Sequence, residues 1–484
     1  MSTSLKRAPG VRHLLISLVV AVTGLTLLTS ADWVSAQNYR FPAAAPVAEC
    51  GPGSRPETDV QGRVPAADYE SGRATKGYRC NAVEIGRNDS TGGFKVLRYV
   101  DRRGQACAYY DTTRVFPSDF LQQTQTGFGV IVLDMDKPSR PRVTTTLTTP
   151  TMLSPHESLL VNEKRGLLAA VLGNAFANAG VLEIYDISKN CRQPRLLSRT
   201  TEALLGHESG WSPDGKTFYA SGSGGQTLAA IDVSNPRAPR MLFSQFYVNY
   251  HGMRLSQDGR TMYVANIGND LSEGRLPGEG LRILDVSEIQ DRKPNPRVRL
   301  LSNLTWREAG IPQVAQPFTR DGREYLLQVD EFTRYGLNNG GFRVEDAVVG
   351  AARLIDVDNP RSPKIVSNLR LEVHQPKERK RSIGDPGANT PVGGYTAHYC
   401  SVPYYEEPRI VACSMIGSGL RIFDISDLSA PREVAYFNRP SSGGAGAFSQ
   451  PAWDVKRRTI WYSDSSAGFF AVRLTNGVGD LLAR

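Results

Sequence analysis

The chain reads Gly129-Val130-Ile131-Val132-Leu133-Asp134-Met135-Asp136-Lys137-Pro138 at the first copy of the unit that decides its fold. An apolar strand ends in an aspartate, a short turn follows, and proline then takes the chain out of the strand. The unit returns at Leu182–Ser188, Leu228–Pro236, Leu281–Ser287, Ala352–Pro360 and Leu420–Ser426. Repetition at roughly 40 to 60 residues indicates an array of like modules, and that period suits propeller blades.

Each clear repeat contains four short predicted strands separated by turn residues, which is the content of one blade. Glycines at 215 and 259 are expected to reverse the chain because glycine accepts positive φ. Six third strands carry the aspartate, and Gly468–Leu474 is a seventh without it. The sequence therefore predicts an all-β fold, a seven-bladed β-propeller of four-stranded antiparallel blades. A count of six or eight blades stays open because the first blade is hard to parse.

The two ends of the ring are expected to be irregular. Strands are predicted at Asn81–Gly86, Phe94–Tyr99, Ala106–Asp111 and Val130–Asp134, and together they read as one enlarged first blade. Only ten residues follow Leu474, so the last blade is expected to lack a strand from its own end. We expect the N-terminal arm to supply that strand, because a closed ring has no exposed sheet edge.

Four segments are predicted: a signal peptide over 1–36, an N-terminal arm over 37–77, the propeller over 78–475 and a C-terminal tail over 476–484. Three basic residues precede an apolar run over 14–28, and Val34-Ser35-Ala36 forms a small-residue cleavage site. That run is shorter than the roughly 20 residues of a spanning helix, which favours a signal over a membrane anchor. We expect a secreted or extracytoplasmic protein of the cell envelope or periplasm, with no transmembrane segment after cleavage.

The cysteine count supports an oxidising compartment. The six residues are Cys50, Cys80, Cys107, Cys191, Cys400 and Cys413. An even number in an exported chain favours disulfides over metal ligation, and no Cys-x-x-Cys pair occurs. Cys400 and Cys413 lie on two predicted strands of one hairpin, so a bond between them is expected. The other four can pair in three ways, and their spacing does not decide among these.

The net charge is +9, of which +7 remains after residue 36. A basic exported protein suits an acidic envelope polymer or an anionic lipid surface, although a solvated surface with a modest excess of positive charge is the simpler explanation. No nucleic-acid-binding motif accompanies the charge, so no nucleic-acid partner is predicted.

Four histidines open blades in the sequence: His156, His207, His251 and His398. The first strand of a propeller blade is the innermost, so these imidazoles are predicted to gather around the central channel near one mouth. Ligands on separate rigid strands can hold a transition metal in a preset geometry. Two alternatives remain: each side chain bonds only to the backbone of the next blade, or the four form a ligand site without metal.

Other polar residues are expected to line the same channel. Gln316 and Gln450 take about the equivalent position in two further blades. Glu157 and Glu208 each follow a histidine, so alternation along an extended strand predicts that they point to the opposite face and orient neighbours. Asp330 and Glu331 are not among these channel residues: they end a second strand, where they either accept from a cation or substrate or cap a turn.

The units Ile231–Pro236 and Leu354–Pro360 resemble the LVIVD-repeat β-propeller proteins. The turn Ser212–Lys216, followed by Phe218-Tyr219-Ala220, is similar to YVTN-type and WD40-like exported propellers. The resemblance covers about residues 80–475 and implies the fold, but these repeats are scaffolds for many tasks. By analogy, rings of histidine bind copper or iron in other propeller enzymes, including the selenium-binding-protein type of thiol oxidase.

Two functions follow as hypotheses. The first is an exported scaffold that presents its loops and channel mouth to a protein or small-molecule ligand. The alternative is a metalloenzyme, a copper- or iron-type oxidoreductase or a hydrolase, whose histidine cluster lies in the central channel. No Gly-x-Ser-x-Gly elbow and no phosphate-binding glycine loop occurs in the sequence.

Overall fold

The structure is a computed structural model that describes residues 40–90, 92–112, 128–173, 178–223, 226–268, 280–308, 310–331, 349–388, 394–440 and 446–483. Ala43–Arg484 forms one compact unit, and of the other unit, Met1–Pro42, only residues 40–42 are described. The predicted signal peptide lies outside the described residues. Within the described ranges, no helix has the length and apolar character needed to cross a membrane.

Seven antiparallel sheets form the blades, which confirms the predicted fold class. Two strands precede the first blade, β1 (Tyr78–Cys80) and β2 (Ala82–Asn88). Blade 1 contains β3 (Val96–Val100), β4 (Ala106–Asp111), β5 (Val130–Asp134) and β6 (Arg142–Leu147). Blade 2 contains β7 (Leu160–Asn162), β8 (Leu167–Val171), β10 (Leu182–Asp186) and β11 (Arg195–Thr200). A separate two-stranded sheet pairs β9 (Asn178–Ala179) with β12 (Leu205–Gly206).

The other five blades keep the same strand order. Blade 3 contains β13 (Glu208–Trp211), β14 (Thr217–Gly222), β15 (Thr227–Asp232) and β16 (Arg240–Phe246), and blade 4 contains β17 (Tyr250–Leu255), β18 (Thr261–Asn266), β19 (Gly280–Asp285) and β20 (Arg299–Thr305). Blade 5 contains β21 (Ile311–Arg320), β22 (Arg323–Glu331), β23 (Ala352–Asp356) and β24 (Lys364–Leu369). Blade 6 contains β25 (Tyr399–Ser401), β26 (Ile410–Ser414), β27 (Leu420–Asp424) and β28 (Arg432–Asn438), and blade 7 contains β29 (Ala452–Asp454), β30 (Thr459–Asp464) and β31 (Gly468–Leu474).

The described helices are short and lie outside the sheets. The α-helices are α1 (Ala66–Glu70), α2 (Pro150–Leu153), α3 (Ser287–Gln290) and α4 (Pro376–Ser382). The 3₁₀ turns are Ala74–Lys76, Glu372–His374, Pro386–Ala388, Val455–Arg457 and Val478–Leu482.

The repeated aspartate ties off each third strand, as predicted. Asp424 Oδ1 accepts a hydrogen bond from the backbone N–H of Ser426 at 2.9 Å. Its other oxygen accepts from Arg432 on the fourth strand at 2.9 Å, a partner that the sequence pattern did not suggest. Burial alone would raise the pKa of Asp424, but these bonds hold that pKa below its usual value. The aspartate therefore joins the third strand to its turn and to the fourth strand.

An N-terminal strand closes the ring. β2 pairs with β31 from Ala82 opposite Leu474 to Asn88 opposite Phe469, and so becomes the outer strand of blade 7. The expectation that the last blade borrows an N-terminal strand is confirmed, but β2 lies after the predicted arm over 37–77 rather than within it. The assignment of Asn81–Gly86 to an enlarged first blade was wrong, because blade 1 begins only at β3. β1 adds a fifth, outer strand to blade 6 by pairing with β28.

Three disulfides use all six cysteines. The expected Cys400–Cys413 bond joins β25 to β26. Cys50–Cys80 ties the N-terminal arm to β1, and Cys107–Cys191 ties β4 of blade 1 to the turn after β10 of blade 2. Three disulfides and no free thiol fit an oxidising, extracytoplasmic compartment.

The hydrophobic core lies between neighbouring blades. One buried cluster contains Leu182 and Ile184 of blade 2 with Phe218, Ala229 and Ile231 of blade 3. Because the apolar faces are covered in this way, the innermost strands are left to face the axis of the ring. The polar residues at the start of those strands therefore meet at the hub.

Candidate metal centre

The structure brings together the four histidines that open blades. His156 precedes β7, His207 precedes β13, His251 lies in β17 and His398 precedes β25, so blades 2, 3, 4 and 6 each contribute one. His207 Nε2 lies 3.0 Å from His251 Nε2, and the rings of His156 and His207 have centroids 4.4 Å apart. All four side chains are buried.

Two carboxylates complete the group. Glu157 Oε2 lies 3.2 Å from His251 Nε2 and 3.4 Å from His207 Nε2, and Glu157 Oε1 lies 3.1 Å from His398 Nε2. Glu331 Oε2 lies 2.9 Å from His398 Nε2, and its Oε1 lies 3.4 Å from His251 Nε2. We call this set the hub cluster: His156, Glu157, His207, His251, Glu331 and His398.

The place of Glu157 corrects the prediction that it faces away from the histidines. That prediction assumed an extended strand in which neighbouring side chains alternate. The backbone before β7 is not extended, because His156 has a φ of +48° and β7 begins only at Leu160. The left-handed residue turns the chain, so the side chain of Glu157 reaches the same hub as the imidazoles.

The tautomers of two histidines follow from their backbone contacts. His251 Nδ1 lies 3.1 Å from the carbonyl oxygen of Gln313, and His398 Nδ1 lies 2.5 Å from that of Phe448. A carbonyl only accepts, so each Nδ1 carries the hydrogen and donates it. Bonding to the next blade was one alternative for the histidines, and here it leaves each Nε2 directed at the hub. Metal-bound histidines are commonly fixed through the other ring nitrogen in this way.

In the hub cluster, hydrogen-bond acceptors therefore lie opposite other acceptors. In the neutral tautomer the Nε2 atoms of His251 and His398 offer lone pairs, and both lie next to carboxylate oxygens. Glu157 Oε2 and His156 Nδ1 are buried without a hydrogen-bond partner in the described part of the chain. Buried acceptors that face one another need a proton or a cation between them.

Without a bound ion, protons meet this need, and the pKa shifts indicate where they bind. Burial lowers the pKa of His398, but its contacts with Glu157 and Glu331 outweigh burial and raise that pKa to about 10. Burial and the charge of Glu157 raise the pKa of Glu331. Burial lowers the pKa of His156 and of His251, the latter to about 3. One positive charge is therefore favoured at the hub, beside Glu157 and Glu331.

The donor spacing suits a metal ion. An ion about 2.1 Å from each donor separates neighbouring octahedral donors by about 3.0 Å and tetrahedral donors by about 3.4 Å. The contacts among His207, His251 and Glu157 span 3.0–3.4 Å. Imidazole and carboxylate donors without sulfur suit iron, zinc, copper, nickel or manganese.

The two predicted glutamines lie elsewhere in the channel. Gln316 and Gln450 line a cavity of ≈ 320 Å³ toward the other end of the inner strands, together with Trp211, Trp453 and Arg254. We call it the vestibule. Gln313 is the amide that reaches the hub cluster, with Nε2 2.6 Å from Glu157 Oε1. The register of β21 shifts between Pro312 and Val314, so counting along a regular strand selected the wrong glutamine.

A second polar layer lies beside the hub cluster. Glu208 points away from the imidazoles, as alternation along β13 predicts, and accepts from Lys95 Nζ at 3.1 Å and from the hydroxyl of Tyr399 at 2.5 Å. Lys95 is fully buried, and its ammonium lies 4.0 Å from the centre of the Tyr399 ring. Burial lowers the pKa of Lys95 to about 8 although Glu208 opposes that shift. Sequence reasoning missed Lys95 and Tyr399.

Comparisons with known proteins address the fold. The LVIVD repeat model matches residues 415–438, which contain β27 and β28. No curated protein matches the chain. Hydrazine synthase of Kuenenia stuttgartiensis is 14% identical with a TM-score of 0.51, over 80% of this chain and 97% of that chain. The β-propeller domain of Myceliophteria thermophila Cps50 (Swd1) is 12% identical with a TM-score of 0.50, over 81% and 99%. Identities this low show the fold alone. The chain is thus a seven-bladed β-propeller that contains a match to the LVIVD repeat in blade 6.

Proposed function

We propose that this protein is an exported metalloprotein whose hub cluster binds one divalent transition-metal ion. One observation carries the proposal: the Nε2 atoms of His251 and His398, whose Nδ1 atoms are bonded to backbone carbonyls, face the carboxylates of Glu157 and Glu331. A divalent cation at the hub would take the place of the proton that His398 otherwise holds there, and its charge would balance the two buried carboxylates.

The donor set is that of a catalytic ion. His207, His251 and Glu157 place three donor atoms within 3.0–3.4 Å of one another, and two histidines with one carboxylate occur in non-haem iron(II) sites and in catalytic zinc sites. His156 and His207 are the most exposed members of the hub cluster, at 7% and 8%. We propose that a substrate approaches the ion from their side and that the protein is an oxidoreductase of the iron or copper type. If the bound ion is zinc, the protein would instead be a hydrolase.

Metal analysis tests the proposal. The protein is expressed from residue 37 without a histidine tag, incubated with Fe(II), Cu(II) or Zn(II), desalted and measured by mass spectrometry. We expect one ion per chain, and at least tenfold weaker binding after His251→Ala or Glu157→Gln. Gln316→Ala is the matched control, because Gln316 lies on an inner strand but outside the hub cluster. A folded wild type that retains no ion, or equal binding by all variants, would refute the proposal.

The vestibule favours a second candidate function, a ligand-binding scaffold. Its ≈ 320 Å³ volume is large enough for a small molecule, and its lining combines two indole rings with amide and guanidinium groups. This function needs no ion at the hub. The protein would be such a scaffold if it takes up no metal and binds a small molecule with an affinity that falls when Trp211 is replaced.

A further inference from the structure

A basic cavity lies where the N-terminal strands close the ring. It has a volume of ≈ 310 Å³, and its lining includes Arg55, Lys76, Arg79, Glu84 and Arg439. β1 borders it as the outer strand of blade 6, and β2 borders it as the outer strand of blade 7. We call it the ring-closure pocket, and it is separate from the hub cluster and the vestibule.

Two arginines of the pocket face each other across a backbone bridge. The N–H of Arg55 donates to the carbonyl of Arg79 at 2.7 Å, and the N–H of Arg79 donates to the carbonyl of Arg55 at 2.9 Å. Residues paired in this antiparallel way place their side chains on the same side. Like charges directly opposite one another destabilise a strand pair, so the fold holds an unfavourable arrangement at this point.

The neighbouring groups add to the positive charge. Glu84 is the one carboxylate that lines the pocket in the described part of the chain, and it pairs with Arg439 at 3.0 Å. Partial burial and the guanidiniums of Arg79, Arg73 and Arg439 lower the pKa of Arg55. The charge at the pocket is therefore poorly balanced by protein carboxylates, which favours an external anion.

Backbone carbonyls hold these side chains in position. Arg79 Nε donates to Gly53 O at 3.0 Å, and Arg55 Nη1 donates to Lys76 O. Each guanidinium has further N–H groups left to donate. The Cys50–Cys80 disulfide, next to Arg79, fixes the arm against β1. The arginines are thus preorganised, which lowers the entropy that an anion would have to overcome on binding.

We propose that the ring-closure pocket binds an oxyanion group, a phosphate or sulfate. Guanidinium forks match the paired oxygens of such groups, and several converging forks suit a tetrahedral anion with more than one charge. The group can come from a free anion or from a phosphorylated lipid headgroup. The site does not depend on the proposed metal, because it shares no residue with the hub cluster.

Titration calorimetry at low ionic strength tests the proposal with inorganic phosphate, pyrophosphate and sulfate. We expect pyrophosphate to bind, and Arg79→Gln to weaken its binding about tenfold or more. Arg55→Gln is a second variant in case Arg79→Gln fails to fold. Arg260→Gln is the matched control with the same change in charge, because the Arg260 side chain is exposed and pairs with Asp291 in blade 4. If Arg79→Gln and Arg260→Gln weaken pyrophosphate binding equally, the effect is one of non-specific charge, and the proposal is overturned. The proposal is also overturned if wild type does not bind.

Vesicles distinguish the two sources of the anion. Sedimentation with phosphatidic acid vesicles that depends on Arg79 would assign a lipid headgroup. Binding of pyrophosphate without vesicle binding would assign a free anion.

A stability measurement gives an independent check, because Arg55→Gln relieves the repulsion from Arg79. Without added anion, that variant is expected to unfold at the same denaturant concentration as wild type or at a higher one, while added pyrophosphate raises the midpoint of wild type more.

Discussion

Replacing Lys95 with methionine should be among the most destabilising changes in the channel. The Lys95 ammonium lies 3.1 Å from Glu208 Oε2, and both side chains are fully buried. At an effective dielectric constant of about 20, that separation corresponds to an attraction of about 5 kcal/mol. Methionine preserves most of the volume and the contact with the Tyr399 ring, but it leaves the carboxylate of Glu208 without its main partner. Arg254, 3.4 Å from Glu208 Oε1, compensates in part. We therefore expect a loss of about 3 kcal/mol in the free energy of unfolding.

The double variant separates the charge effect from packing. In Lys95→Met with Glu208→Gln, the buried carboxylate charge is gone, and the glutamine oxygen can still accept from Tyr399. Arg254 loses its contact with that charge but keeps its bonds to the carbonyls of Ser209 and Met253. We expect the double variant to regain at least about 2 kcal/mol relative to Lys95→Met. Guanidinium chloride unfolding of wild type, both single variants and the double variant at neutral pH measures the coupling. A Lys95→Met protein within about 1 kcal/mol of wild type, or single losses that simply add in the double variant, would refute the reasoning.

Two further predictions concern turns. Burial raises the pKa of Asp464 from 3.8 to about 6, so the folded chain binds more protons there than the unfolded chain between those values. The stability of wild type relative to Asp464→Asn should therefore fall by about 3 kcal/mol as pH rises from 3 to 7, and parallel unfolding midpoints between pH 4.5 and 7 would contradict this. Gly215→Val and Gly259→Val should each cost about 1–3 kcal/mol, because both glycines have positive φ, 67° and 72°. The loss should be larger at Gly215, where an added Cβ would lie 2.6 Å from Asn162 Nδ2 rather than 3.1 Å from Gln290, and unchanged midpoints in both variants would rule out the turn assignment.

The blades could be predicted because their signals are local. The repeated aspartate acts on backbone groups two residues ahead and on an arginine eight residues ahead, as Asp424 does with Ser426 and Arg432. Strand partners are set at long range, and nothing within Asn81–Gly86 says that it pairs with β31 at the other end of the propeller. For that reason the strand was predicted correctly, but its blade was not.

The hub cluster was predictable in part for a similar reason. The four histidines lie at or near the start of innermost strands, so radial geometry was enough to bring them together. Glu157 and Gln313 could not be placed because both depend on irregular backbone, a positive φ at His156 and a register shift in β21. Lys95 did leave a signal. It follows Phe94 as Glu208 follows His207, so two blades carry opposite charges at equivalent positions of the innermost strands.

The borrowed strand of blade 7 also sets the order in which the molecule can mature. β2 is made early, but its partner β31 lies almost 400 residues later in the chain. Until β31 arrives, β2 cannot dock, and the edge of blade 1 that will pack against blade 7 stays uncovered. The native ring therefore cannot close before β31 has been made, and loss of β31 would leave β2 without its partner strand.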